Sequence, residues 1–413
     1  MENERRFLNL DLFDLFSLSL ILFSFTTLTY QFWPIVNRVI GFFVIGLLVL
    51  ILLINMKKRD IIVILLIVLV DLISFRQAKD FSLNLNDAVY WSISLLLLWK
   101  FSQKDFSKLL FSSLNKINKF IKIVVVFDLF ILLISFLFKS SFVNSWGGSY
   151  YIGFAYSQHS LSCGCCILLA MLFFVYQTIK NDLIKVILFL IPTYAIFQSG
   201  ARSYLFSIAF LWIIFFTKFI RKGIFKNCLL VSSVLIIGFF FFKSNMNDKF
   251  TFTMNNEYTS NNAAISFSSG RLEFWMIDLK EWYNLNLFDK LLGKGFDYVY
   301  EVNSIKYGLK IWAHNDIINV LLCNGVLGLS VYLFIVIHSF ICLNADNRIN
   351  KLLVILYLLI IIFINGLFVY QHYLYSYLLL YVLFDNIKEK EYVYEAKKDK
   401  VANNKTIGFR RVL

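Results

Sequence analysis

Apolar runs of about twenty residues recur along this chain, and they constrain its fold more than any other feature. A run of that length crosses a bilayer as a helix, because a helix satisfies each backbone N–H and C=O within its own segment. We place roughly twelve such runs. They cover 12–33, 36–55, 61–75, 86–101, 119–138, 159–179, 184–198, 203–219, 224–242, 316–342, 351–367 and 370–385. Barrel strands would instead alternate apolar and polar residues. With 59% of its residues hydrophobic and 16% charged, a soluble domain of 413 residues is excluded. The expected class is an all-α, polytopic integral membrane protein.

The runs divide the chain into a membrane region at 1–242, a large polar stretch at 243–315, three further spans at 316–385 and a charged tail at 386–413. If the amino terminus is cytoplasmic, the basic clusters at 57–59, 100–122, 218–226, 348–351 and in the tail all fall inside. The net charge of +14 then reflects topology, and nucleic-acid binding is not implied. Both termini are expected in the cytoplasm and the 243–315 stretch outside. The segment Met1 to Arg6 carries charges of both signs and no small-residue cleavage site follows the first apolar run, so the first helix is expected to stay. The six cysteines lie in or beside apolar runs and imply neither a disulfide framework nor a zinc site.

On an outer face, cations are the exceptions. Arg202 sits in a polar turn, Gln198-Ser199-Gly200-Ala201-Arg202-Ser203, where it either snorkels to headgroups or offers a fixed cation to a phosphate. Arg271 follows Ser269-Gly270 and opens a segment with Leu272, Trp275, Met276, Leu279, Trp282 and Tyr283 at helical spacing. That segment reads as an amphipathic surface helix, with pairing of Arg271 to Glu273 or Asp278 as the alternative. His314 precedes Asn315, a candidate cap for the tenth span, so its imidazole would sit neutral at the positive end of a helix. His159 follows a Gly- and aromatic-rich stretch, 146–158, suited to a close-fitting loop over a ligand. Gly293-Lys294-Gly295 reads as a turn, and Asp71 and Asp128, inside spans, are expected to hydrogen-bond between helices.

In order, Gln198-Ser199-Gly200-Ala201-Arg202-Ser203, Ser269-Gly270-Arg271 with Trp275, Leu292-Gly293-Lys294-Gly295-Phe296 and Ala313-His314-Asn315 leading to Asn324-Gly325-Val326-Leu327-Gly328 resemble the O-antigen polymerase and O-antigen ligase superfamily. The resemblance spans roughly residues 145–340. It implies a GT-C-like membrane glycosyltransferase that takes a glycan from undecaprenyl diphosphate and joins it to an acceptor hydroxyl at the outer face of the bacterial cytoplasmic membrane. Chain-length regulators and flippases of the same pathway would be its partners, together with the bilayer itself.

Under that resemblance Arg202 and Arg271 hold the diphosphate and His314 is the base, with Glu273 or Asp316 in reserve. His159, Asn315 and Trp275 are the further substrate-binding candidates. No cofactor and no metal is expected, since the diphosphate already activates the sugar. The Gly153 to His159 stretch resembles a family element but lacks its Pro-Asn pair. Trp275, Trp282, Tyr298, Tyr300 and Trp312 either stack on sugars or anchor the loop. A ligase acting on another acceptor, and a transporter of lipid-linked oligosaccharides, are the competing readings.

Overall fold

The computed structural model describes residues 11–145, 148–220, 223–255, 270–308, 310–367 and 370–386. The expected tail, residues 1–10, Trp146-Gly147 and residues 256–269 with Ser269 lie outside them. The described chain is nearly all helix: α1 (Leu12–Leu28), α2 (Pro34–Ile54), α3 (Lys58–Ser74), α4 (Phe81–Phe101), α5 (Lys104–Lys116) and α6 (Asn118–Ser135) lead into a small hairpin. Its strands, β1 (Phe142–Ser145) and β2 (Gly148–Tyr151), pair antiparallel with Phe142 opposite Tyr151. Then come α7 (Gln158–Tyr176), α8 (Asp182–Ser199), α9 (Leu205–Lys218) and α10 (Ile224–Phe242). Among the described residues of the polar stretch there are four helices: α11 (Asn245–Asn255), α12 (Arg271–Asn284), α13 (Leu287–Leu292) and α14 (Tyr298–Tyr307). The chain closes with α15 (Asp316–Cys342), α16 (Arg348–Ile364) and α17 (Gln371–Asp385).

A helix lies on each of the apolar runs. Four of them, α2, α7, α8 and α15, are long and apolar enough to cross a membrane, and a fifth if α10 and α11, bent by 53°, count as one span. The outward faces of α2, α3 and α10 expose Phe42, Leu65, Leu235 and Phe239 among many others, as a lipid-facing surface requires.

Helix α7 is apolar all round and is correspondingly buried on all sides, against α1, α6, α8, α9 and α17. Its small residues permit this: a Cβ on Gly164 would stand 2.7 Å from Leu28 Cδ2. Caps fix the helix starts. Asp11 and Asp14 form a reciprocal box on α1, Ser157 caps α7, Asn181 caps α8 and Asn347 caps α16. Pro34 takes the first position of α2, where its missing N–H costs nothing.

The bundle has two chemically different ends. At one, buried Lys100 meets Asp60 at 2.6 Å, while Trp99 and Gln103 donate to the same carboxylate. Lys57–Asp105, Lys116–Asp14 and Lys218–Asp346 lie at the same end, which carries the basic clusters. At the other end sit the hairpin and α11–α14. There the kink in α15 at Gly325 (φ 66°) receives the end of α13. A Cβ on Gly325 would come within 2.5 Å of Leu291 and one on Gly293 within 2.1 Å of the Cys323 carbonyl, so only glycines allow this crossing. The Gly293-Lys294-Gly295 turn is therefore a packing joint, closed by the Gly295 N–H donating to Cys323 O at 2.8 Å.

Two expectations for acids inside spans part company. Asp71 accepts from Ser92 at 2.5 Å, a bond between α3 and α4. Asp128 is fully buried and neither carboxyl oxygen has a hydrogen-bond partner among the described residues.

Candidate functional site

Arg202 is placed by the end of α8. Gly200, in the left-handed conformation (φ 65°), stops that helix, and a short 3-10 turn, Arg202–Tyr204, swings the guanidinium inward before α9 begins. Glycine is required there twice over, because a Cβ would also meet the Tyr150 ring at 2.5 Å. Arg202 is 9% exposed and lies over the Phe250 ring, 4.7 Å from its centroid. It is thus turned into the protein.

Arg271 begins α12 after Gly270, as its sequence position suggested, but pairs with neither Glu273 nor Asp278. Its Nη1 donates to Ile364 O at 2.5 Å and its Nη2 reaches Asn365 Oδ1 at 3.5 Å. Ile364 is the last residue of α16, so the guanidinium rests on the negative end of that helix's dipole. Asp278, about two turns further along α12, is fully buried beside Asn303, although neither of its oxygens meets hydrogen-bond geometry with a described group. Burial pushes this carboxyl up to about 7.

His314 adopts φ 54°, the left-handed region, which for a non-glycine costs about 1–3 kcal/mol. The turn is held by Trp275 Nε1 donating to Ala313 O at 2.7 Å and by Asn315, whose Oδ1 accepts from Ile318 N–H at 3.3 Å. Trp312 packs 4.5 Å from the imidazole, whose Nδ1 is buried with no hydrogen-bond partner among the described residues. Desolvation, with the charge of Arg271 and the nearby His159, holds this histidine well below the usual imidazole range, so it is neutral.

These side chains meet in one cavity of about 580 Å³. Arg202, Arg271, His314, His159 and Trp275 all line it, with Gln158, Lys249 and the apolar Leu205, Phe206, Phe250, Ile311 and Ile364. No carboxylate appears among the described lining residues, although three cations do. Their mutual repulsion adds to burial: desolvation and Arg271 push Arg202 down to about 10, and desolvation, Arg202 and Arg271 push Lys249 down to about 8. Such a site favours an anion carrying at least two charges.

The chain matches no protein-family model, and it matches no curated protein.

Not every expected residue reaches the cavity. Asn315 spends its side chain on the helix cap and does not line it. Asp316 accepts from Tyr332 Oη at 2.8 Å and from Leu367 N–H at 2.7 Å, and neither it nor Glu273 is among the described residues that line the cavity. Tyr300 donates to Asp87 and Tyr298 to Glu281, and neither ring lines this cavity. His159 lies in the first turn of α7 against Tyr370 and Tyr204, at 5.3 and 5.9 Å between centroids. The 146–158 stretch belongs in part to the hairpin, whose β2 supplies Tyr150 to support Gly200 and Lys249.

Lys249 had no signal of its own in the sequence, where it is one charged residue in a long polar stretch. The fold leaves the adjacent Asp248 exposed while Lys249 lines the cavity. A second cavity of about 300 Å³, lined by Gln77, Lys79, Lys294, Asp297, Tyr298 and Glu301, has its charges matched: Lys79 meets Glu301 at 2.5 Å, and Asp297 accepts from the Lys79 and Asp80 N–H groups.

Proposed function

We propose that this protein is a membrane glycosyltransferase that joins oligosaccharide repeat units carried on undecaprenyl diphosphate, making a capsule, exopolysaccharide or O-antigen polymer. The observation that carries this reading is the convergence of Arg202, Arg271 and neutral His314 on one cavity with an apolar rim. The guanidiniums suit a diphosphate, which each can grip through two N–H groups. The rim residues Leu205 and Phe206, the latter 51% exposed on α9, suit the start of a polyprenyl chain leaving toward lipid. A neutral imidazole can take the proton of an acceptor hydroxyl, and Trp275 can stack on a sugar ring.

In this reading all twelve apolar helices cross the bilayer in a GT-C-like arrangement, with both termini in the cytoplasm and the cavity on the outer face of a bacterial cytoplasmic membrane. The basic residues gathered at the opposite end of the bundle favour that orientation. A ligase of the same superfamily would share the donor site and differ in its acceptor. A transporter is disfavoured by the placement of the cationic cavity at one end of the bundle, since transporters hold substrate near the bilayer midplane.

The test is polymer length in a deletion strain carrying wild type, Arg202→Ala, Arg271→Ala or His314→Ala, each confirmed in the membrane. Loss of one guanidinium that stabilises a leaving group should slow transfer about 10²–10³-fold, so single repeat units accumulate. Normal polymer from all three variants would remove the cavity from the reaction.

A further inference from the structure

We propose that Lys249 meets the charge that develops on the leaving phosphate during transfer, and is not needed to hold the intact substrate. The assignment rests on the glycosyl transfer proposed above. In that step the bond from anomeric carbon to phosphate oxygen breaks and its electron pair stays on the oxygen. The acceptor hydroxyl oxygen bonds to the anomeric carbon, and the hydroxyl proton passes to the His314 imidazole.

A glycosyl diphosphate diester carries one ionised oxygen on each phosphorus, a charge of about −2. The departing polyprenyl diphosphate ends in a phosphate whose second ionisation lies near pH 6, so it approaches −3 at pH 7. Arg202 and Arg271 balance the diester. A third cation is useful only as the bond breaks, which is where a contact accelerates the reaction instead of merely tightening binding.

Geometry separates Lys249 from the arginines in the required way. Arg271 is pinned on the α16 terminus and Arg202 lies on the Phe250 ring, so both are set before a ligand arrives. Lys249 comes from a different element, α11, whose start is fixed by Asn245 Nδ2 donating to Ser149 O at 2.6 Å and Gln198 O at 3.1 Å. Its stem runs beside Gly200, with Cδ 3.5 Å from where a Cβ would stand, and its Nζ lies 5.4 Å from the Tyr150 ring centre. An ammonium is a compact point charge that can meet a terminal phosphate oxygen without the bidentate geometry a guanidinium fork is built for. The lowered pKa of Lys249, to about 8, is consistent with a cation that gains from the arrival of further negative charge in the cavity it shares with the two arginines.

The test uses the full chain in lipid nanodiscs at pH 7 with two probes, farnesyl diphosphate and its terminal methyl ester, which mimic the leaving group and the intact diester. Wild type should bind farnesyl diphosphate about tenfold more tightly than the ester. Lys249→Met should lose that tenfold preference while its affinity for the ester changes less than about threefold, and Lys249→Arg should keep it. With lipid-linked substrate, Lys249→Met should lower kcat and leave KM nearly unchanged. Equal loss for both probes, or no loss for either, overturns the assignment and leaves the diphosphate site standing, provided Arg271→Ala weakens both. If wild type binds neither probe, the diphosphate site fails and the assignment falls with it.

Discussion

Three cations and a neutral imidazole share the cavity, and their protonation sets a pH profile. The Lys249 ammonium is present below about 8 and is lost as pH rises through that value, since burial, Arg202 and Arg271 all disfavour its charge. Tyr150, its ring neighbour, is pushed above the usual phenol range by burial, and so stays neutral there. We therefore expect kcat/KM to fall above about pH 8 and to keep its value to well below pH 6.5, because His314 is held neutral far into the acid range. Lys249→Arg should remove the alkaline limb. An alkaline limb unchanged in that variant would assign it to another group. The arginines and His314 could be singled out in the sequence because each breaks a local rule: a cation in an outer turn, a histidine at a helix cap. Lys249 breaks none, and only the approach of α11 to Gly200 brings it in.

Helix positions were legible because an apolar run of bilayer length has few alternatives, and the twelve runs differ from the observed helices mainly at their ends. The four short helices of the polar stretch were less so. Only α12 carried a helical stripe, while α13 and α14 are held by tertiary contacts: Asp289 to Arg76 at 2.9 Å and Tyr300 to Asp87 at 2.9 Å. The β1–β2 hairpin was missed for the same reason, since its Gly and aromatic residues show no clean alternation. The Lys100–Asp60 pair, 1% and 2% exposed in their side chains, ties α3 to α4 with Trp99 and Gln103 completing the carboxylate's bonds. Asp60→Ala leaves a buried ammonium and should destabilise the protein by about 3–5 kcal/mol, read as a lower melting temperature in detergent. Replacing Asp60 and Lys100 together by apolar residues should recover much of that loss. An unchanged melting temperature for Asp60→Ala would mean that the network carries no stability.

At the scale of the whole molecule the two ends do different work. One gathers lysines into ion pairs with Asp14, Asp60, Asp105 and Asp346; the other brings cations into a cavity with no described carboxylate on its lining. The sequence shows which residues are exceptional, but not that they converge, because the convergence depends on the Gly200 stop, the His314 turn and the α16 terminus arriving at one place. The most direct measurement is transfer by the purified full chain in nanodiscs, given a defined repeat unit on undecaprenyl diphosphate and read as a ladder of chain lengths. Wild type should build the ladder and release undecaprenyl diphosphate, while Arg271→Ala, with an unchanged melting temperature, should leave single units at least about 10²-fold longer. A ladder formed by Arg271→Ala at the wild-type rate would contradict transfer at this cavity.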